Sequence, residues 1–94
     1  MLSSIQQYIN SLIDELDRNV VIEDVIFYEK AKLEYALSTT SHMASISILP
    51  DLTYDFFAEE IASEEVYLMK TKYFSSTEEL FSQLTKDILS FSEL

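Results

Sequence analysis

The sequence has no glycine, cysteine or tryptophan, and only one proline and one histidine among its 94 residues. Without cysteine, the chain can form neither a disulfide framework nor a thiolate metal site. Without glycine, it has no phosphate-cradling loop, and its turns are expected to rest on asparagine, aspartate and serine or to be wide. The single histidine, His42, excludes a histidine dyad and is expected to be solvated.

Basic residues are also scarce, since six Lys and Arg face seventeen Asp and Glu, for a net charge of −11. A charge of this sign repels nucleic acid and attracts a basic protein surface. The apolar fraction of 48% is too high for a disordered acidic tail, and the length fits a single domain over residues 1–94. Because no run is long enough to span a membrane and no signal-peptide pattern is present, we expect a cytoplasmic protein without a membrane partner.

Helical periodicity marks both ends of the chain. Apolar residues spaced by three and four predict a first helix over residues 4–18, with Ser3 or Ser4 as its N-cap. Its last turn is acidic (Asp14, Glu15 and Asp17, offset in part by Arg18), which indicates either a solvated polar face or an acidic contact surface. A second helix is predicted within "SSTEELFSQLTKDILSF", capped by Ser75 with Glu78 or by Ser76 with Glu79.

The middle of the chain alternates apolar and polar residues, which is typical of strands with one buried face. Four such segments cover residues 31–38, 44–49, 52–60 and 65–73, and an earlier segment at residues 20–30 is extended with an ambiguous inward face. Most tyrosines, Tyr28 excepted, fall on the predicted inward faces. The expected fold class is α+β, with an N-terminal helix, a four- or five-stranded mainly antiparallel sheet and a C-terminal helix, both helices covering one sheet face.

The pairing of the last two strands is predicted from their lysines. If Lys70 lies opposite Asp55 and Lys72 opposite Thr53, both lysines stay off the face that the helices cover. The same register places Phe57 opposite Leu68 and Glu59 opposite Val66, with Phe56 opposite Met69 on the other side.

This register predicts a partner-binding surface on the uncovered face of the last hairpin, with an apolar centre and an acidic rim. Phe57 is the predicted anchor, and the basic partner would be steered by the carboxylates. Alternatively, Phe57 and Leu68 form a simple cross-strand pair, are covered by the strand near Val25, or make a homodimer contact. The predicted partner-binding residues are Asp55, Phe57, Glu59, Glu60, Glu64, Glu65 and Leu68.

Catalytic and metal-binding patterns are not found. The serines have no nucleophile-elbow or Ser-x-x-Lys context. The four glutamates between Glu59 and Glu65 lack the spacing and the glycine of an EF-hand. We therefore expect no enzyme activity, no cofactor and no metal.

The passage "KYFSSTEELFSQL", in which a strand ends in an aromatic residue, a serine turn follows and a helix starts with Glu-Glu-Leu, resembles the TriTu-like immunity proteins. These small proteins protect bacteria from polymorphic toxins. The resemblance covers residues 31–91 and is strongest over residues 65–84. It implies a protein that binds a toxin domain and blocks it without catalysis. The alternatives are a phage-encoded nucleic-acid mimic that inhibits a host nuclease or CRISPR effector, and a protein-binding subunit that inhibits nothing.

Overall fold

The protein is described by a computed structural model, which covers residues 1–16 and 20–94. The elements are, in chain order, α1 (Leu2–Leu16), β1 (Val21–Tyr28), β2 (Lys32–Ser38), β3 (His42–Ile48), β4 (Thr53–Glu60), β5 (Val66–Tyr73) and α2 (Thr77–Ser92). The strands form one sheet in the order β1-β2-β3-β4-β5, and each neighbouring pair is antiparallel. The predicted α+β class, with five strands between two helices, is confirmed.

Both helices pack on the same face of this sheet. The Tyr35 hydroxyl on β2 donates to α1 at Asn10 Oδ1 over 2.6 Å, and the Tyr54 hydroxyl on β4 donates to α2 at Asp87 over 2.6 Å. The helices contact each other where the Tyr8 and Phe81 rings stack, with centroids 4.1 Å apart. The buried core lies between these layers and comprises mainly Leu2, Ile5, Ile9, Leu33, Tyr35, Leu37, Ala44, Ile46, Ile48, Tyr54, Phe56, Ala58, Leu80, Leu84, Ile88 and Phe91.

The two helix starts differ in how well they were predicted. Helix α1 begins at Leu2, so Ser3 and Ser4 lie inside its first turn and the predicted N-cap is wrong. Helix α2 is capped by Ser76, whose hydroxyl accepts from the Glu79 amide, as one of the two predicted capping boxes requires. Asp14 and Glu15 are exposed on α1, whereas Asp17 and Arg18 lie outside the described residues.

The segment whose inward face was ambiguous forms β1, a single strand with a β-bulge between Ile22 and Asp24. The extra residue, Glu23, reverses the alternation at that point. Beyond the bulge Val25 lies opposite Tyr35, so Val25 faces the helices, and Ile26 lies opposite Glu34 on the other side. The bulge therefore explains why alternation alone could not assign this strand.

Two turns use left-handed backbone without glycine. Leu52 has φ 68° and Glu64 has φ 58°, a region that costs most side chains roughly 1 kcal/mol or more. The left-handed residues themselves are not asparagine, aspartate or serine, but the β4–β5 connection is wide, as one of the two expectations states. The Leu52 side chain is buried against the core, which offsets its backbone cost. Aspartate still shapes this turn, because Asp51 accepts from both the amide and the hydroxyl of Thr53, which lowers the pKa of Asp51.

The predicted register of the last hairpin is wrong by one residue. In the structure Lys70 lies opposite Phe56 and Lys72 opposite Tyr54, so both lysines are on the helix-covered face. Asp55 lies opposite Thr71 and Phe57 opposite Met69, while Glu59 keeps its predicted partner Val66 because the ladder is irregular after Ala58. The physical reason is a carboxylate in α2, because Asp87 accepts from Lys70 Nζ over 2.9 Å.

Candidate protein-binding face

One face of the sheet is covered by α1 and α2, and the opposite face carries no element of the described residues. We call this second surface the open face. It consists of the outward residues of all five strands, as the pairing defines them: Val21, Asp24, Ile26, Tyr28, Lys32, Glu34, Ala36, Ser38, Met43, Ser45, Ser47, Thr53, Asp55, Phe57, Glu59, Val66, Met69, Thr71 and Tyr73.

Large apolar side chains of the open face are unusually exposed. Tyr73 is 78% exposed, Met69 73% and Tyr28 60%. Four further apolar residues of this face, Val21, Ile26, Met43 and Val66, are also exposed. These side chains lie on both edge strands, β1 and β5, with Met43 on the central strand β3. Large apolar side chains exposed in this number on one face are typical of an interaction surface. The expectation that Tyr73 packs in the core is wrong, as it is for the exposed Tyr67 at the start of β5.

The charge of the open face is negative. It carries four carboxylates, Asp24, Glu34, Asp55 and Glu59, and one lysine, Lys32, whose Nζ lies 3.2 Å from Glu34. The other two lysines of the sheet, Lys70 and Lys72, lie on the opposite face. The bulge adds a carboxylate at the rim, where Glu23 accepts from the Ser38 hydroxyl over 2.6 Å. On the open face, carboxylates therefore lie between exposed apolar side chains and outnumber lysine.

The centre of the open face is a shallow trough. Its floor consists of small outward residues of β2 and β3, chiefly Ala36, Ser45 and Ser47. A depression of about 200 Å³ opens there, lined on the β1 side by Asp24 and Ile26. Phe57 lies directly opposite Ser45 on the β4 side, so large side chains flank the small ones on both sides.

Three of the predicted site residues lie on the open face as expected. Asp55 and Phe57 are adjacent outward residues of β4, and Glu59 follows at its end. The Asp55 carboxylate accepts from the hydroxyl of Thr71 on β5. Phe57 is half-buried and lies between Ser45 and Met69. The alternative in which the strand near Val25 covers Phe57 is wrong, because β1 is the far edge of the sheet.

Leu68 does not belong to this surface. It lies opposite Ala58 and packs against the core on the helix-covered face, so the predicted Phe57–Leu68 pair does not form. Glu60 lies opposite His42, also on the helix side. Its carboxylate accepts from the Ser63 hydroxyl over 2.7 Å within the hairpin turn. Glu64 and Glu65 are exposed in that turn, next to the open face rather than on it.

The position of β5 depends on a polar cluster beneath the sheet. Asp87 is 5% exposed, and its carboxylate accepts from Tyr54, Lys70 and Gln83 over 2.6, 2.9 and 3.1 Å. Burial raises the pKa of the Tyr54 hydroxyl, and the adjacent Asp87 raises it further. We call these four residues the Asp87 cluster. Because it holds Lys70 inward, it places Met69 on the open face.

The single histidine, His42, is the first residue of β3 and lies beside the end of the β4–β5 hairpin, opposite Glu60. His42 Nδ1 lies 2.7 Å from the Ser41 hydroxyl, and the Tyr67 ring meets the imidazole edge-on with centroids 6.0 Å apart. The His42 side chain is thus packed against protein groups rather than simply solvated. Across residues 1–16 and 20–94, no group of three or more His, Asp and Glu side chains is arranged to hold a metal ion.

Comparisons of the chain with protein-family models, with curated proteins and with solved structures find no match. Among the helices in the described part of the chain, neither is long and apolar enough to cross a membrane. The assignment of a function therefore rests on the open face.

Sequence reasoning missed much of the open face, including Met69, Tyr73, Ile26 and Tyr28. A signal for the first two was present in α2, where Asp87 falls in line with Leu80, Leu84 and Phe91 on the buried stripe. A carboxylate at a buried helical position requires a buried donor or cation, which predicts an inward lysine on the neighbouring strand. The β1 residues had no comparable signal because the bulge shifts their alternation.

Proposed function

We propose that this protein is a small acidic inhibitor that binds a basic protein target through its open face and acts by binding alone. The observation that supports this best is the coincidence, on one uncovered sheet face, of exposed Tyr28, Met69 and Tyr73 with an excess of carboxylates over lysine. Apolar and aromatic side chains supply the affinity of protein interfaces, and charge supplies fast, selective association.

The proposed target is a bacterial toxin domain with a basic surface, such as a nuclease, and the proposed location is the cytoplasm. Two considerations support it. A cleft that binds phosphate is positively charged and complements the open face electrostatically. The strand-to-capped-helix passage resembles that of TriTu-like immunity proteins, which act by binding a toxin.

The test is purification of the tagged protein from its native host at low salt, followed by elution with increasing salt. We expect one basic protein at a stoichiometric ratio, released as ionic strength rises because screening weakens the steering charges. The activity of that protein should be lost on adding the purified acidic protein back. Recovery of the acidic protein alone, as a dimer that resists salt, would contradict the proposal.

Two variants then separate apolar from electrostatic contributions once the target is identified. Phe57→Ala should mainly speed dissociation, because the half-buried ring contributes contact area. Changing Glu60, Glu64 and Glu65 together to Gln should slow association, because Glu64 and Glu65 lie beside the open face and Glu60 lies at the same end of the hairpin, so that all three add to the negative field there. If neither variant changes binding while Asp14→Asn does, the contact surface is α1 instead.

A further inference from the structure

The trough of the open face has a shape that selects among partners. The outward side chains of β2 and β3 at its floor are Ala36, Ser45 and Ser47, whereas its walls are Ile26 on β1 and Phe57 on β4. The backbones of β1 and β4 are thus three strand spacings apart, or about 14 Å, and the two walls are offset along the trough because Ile26 lies level with Asp55 and Phe57 with Asp24. A helix with its side chains is about 10 to 12 Å across, so the trough has room for the side chains of one helix face and for no more than one helix.

The charges around the trough specify the chemistry of this helix. Asp24 and Glu34 line the depression itself, and Asp55 lies beyond Ser47 on the opposite side. Among the residues that the structure describes, Lys32 is the only lysine of this face, and it is paired with Glu34. The floor between these carboxylates consists of small side chains, one of which, Ala36, is apolar. A complementary helix carries an apolar stripe with Lys or Arg on both flanks.

We propose that the trough receives one basic amphipathic helix from the partner, lying along β2 and β3, so that the sheet becomes covered by helices on both faces. This proposal rests on the proposed function, since it names the part of the target that the open face contacts. A second copy of this chain does not fit, because two open faces would bring like carboxylates together around a single lysine each.

The experiment uses synthetic peptides of about 18 residues, long enough for a helix to form on the surface. The first contains Leu and Lys at helical spacing. The second contains the same residues in strict alternation, which gives a strand pattern at equal charge. The third replaces each Lys of the first with Glu. Binding is measured by fluorescence anisotropy, and the contacted residues are mapped by amide chemical-shift changes.

Two tryptophan variants provide the matched comparison. Ser45→Trp fills the trough floor, whereas Ser82→Trp places the same side chain on the exposed surface of α2. Both sites are exposed serines, so both variants should fold, which circular dichroism checks. We expect the helical basic peptide to bind at least about tenfold more weakly to Ser45→Trp than to Ser82→Trp, the loss typical of a blocked interface centre.

The proposal predicts that the helical basic peptide binds best and that shift changes centre on Ala36, Ser45 and Ser47. Equal binding of the helical and alternating peptides, with no effect of Ser45→Trp, would overturn it and indicate general charge attraction. No binding of the helical peptide would also overturn it. A wild-type dimer in sedimentation that Ser45→Trp dissociates would overturn it in favour of a second copy.

Failure of the trough can be distinguished from failure of the inhibitor function. If wild type and Ser45→Trp retain the same basic protein equally well in the host purification, the inhibitor function is supported and the proposal that the trough binds a helix is refuted. If no basic protein is retained but the helical peptide binds the trough, the inhibitor function is wrong.

Discussion

Removing the carboxylate of the Asp87 cluster should destabilise the fold more than any exposed acidic substitution. In Asp87→Ala, the Tyr54 hydroxyl remains buried without its acceptor, which costs about 1 to 3 kcal/mol. Loss of one partner of a buried ion pair costs about 3 to 5 kcal/mol. The side chain of Lys70 is 23% exposed, which reduces the ion-pair contribution below that range, so we expect a total of about 3 kcal/mol.

The assay is urea unfolding followed by circular dichroism, with Asp14→Ala on the exposed surface of α1 as the matched control. Adding Tyr54→Phe to Asp87→Ala should restore part of the loss, because the unpaired hydroxyl is then absent. A double-mutant cycle should show coupling of Asp87 to Lys70 and little coupling to Lys72. A cost below about 1 kcal/mol for Asp87→Ala, or no coupling between Asp87 and Lys70, would refute the inward register of β5.

Three further predictions concern alkaline stability, a turn and the helix contact. Burial raises the pKa of Tyr35 to about 12 and also raises that of Tyr54, so the unfolded chain loses these protons first. Stability should therefore fall as the pH rises from about 10 to about 12, by at most about 1.4 kcal/mol per pH unit for each tyrosine, and Tyr35→Phe should reduce the slope in urea titrations at a series of pH values. Glu64→Gly should leave stability equal or higher and Glu64→Val should lower it, as thermal unfolding can show, because φ is 58° there; the opposite order would contradict the left-handed assignment. A double-mutant cycle between Tyr8 and Phe81 should give a coupling of about 0.5 to 1.5 kcal/mol, and additive losses would mean that the rings do not stack in solution.

Much of the architecture could be predicted because local patterns and tertiary packing agree. Strands β2 to β5 were predicted within two residues of their observed ends, since their alternation matches one-sided burial. The cap at Ser76 was among the two predicted because its hydrogen bonds are local. The position of both helices on one sheet face was also predictable, because their apolar stripes and the apolar inward side chains of the strands bury each other.

The register of β5 could not be obtained from the strand alone. Its sequence offers Lys70 and Lys72 on one face and Tyr67, Met69 and Tyr73 on the other, and one-sided burial would place the lysines outward. The structure places them inward because Asp87, distant in sequence, supplies a buried partner. Inward-pointing lysines on an edge strand also oppose pairing with another chain, which adds a reason to retain them.

This correction changed the candidate site more than the fold. A shift of one residue exchanged Leu68 for Met69 on the open face and brought Tyr73 beside Thr53. The carboxylates of β4, by contrast, stayed where alternation had placed them, because β4 pairs centrally with β3. The acidic character of the surface was therefore predictable from the sequence, whereas most of its apolar surface was not.

The most direct test of the central claim compares two charge reversals that alter net charge equally. Asp55→Lys/Glu59→Lys changes the open face, whereas Asp14→Lys/Glu15→Lys changes the exposed end of α1, where lysine also suits the helix dipole. Each tagged variant and the wild type are used to capture proteins from the native host at low salt, with quantification by mass spectrometry. If the open face is the binding surface, the first variant should lose the basic partner and the second should retain it. Equal loss from both, or loss from the second alone, would contradict it.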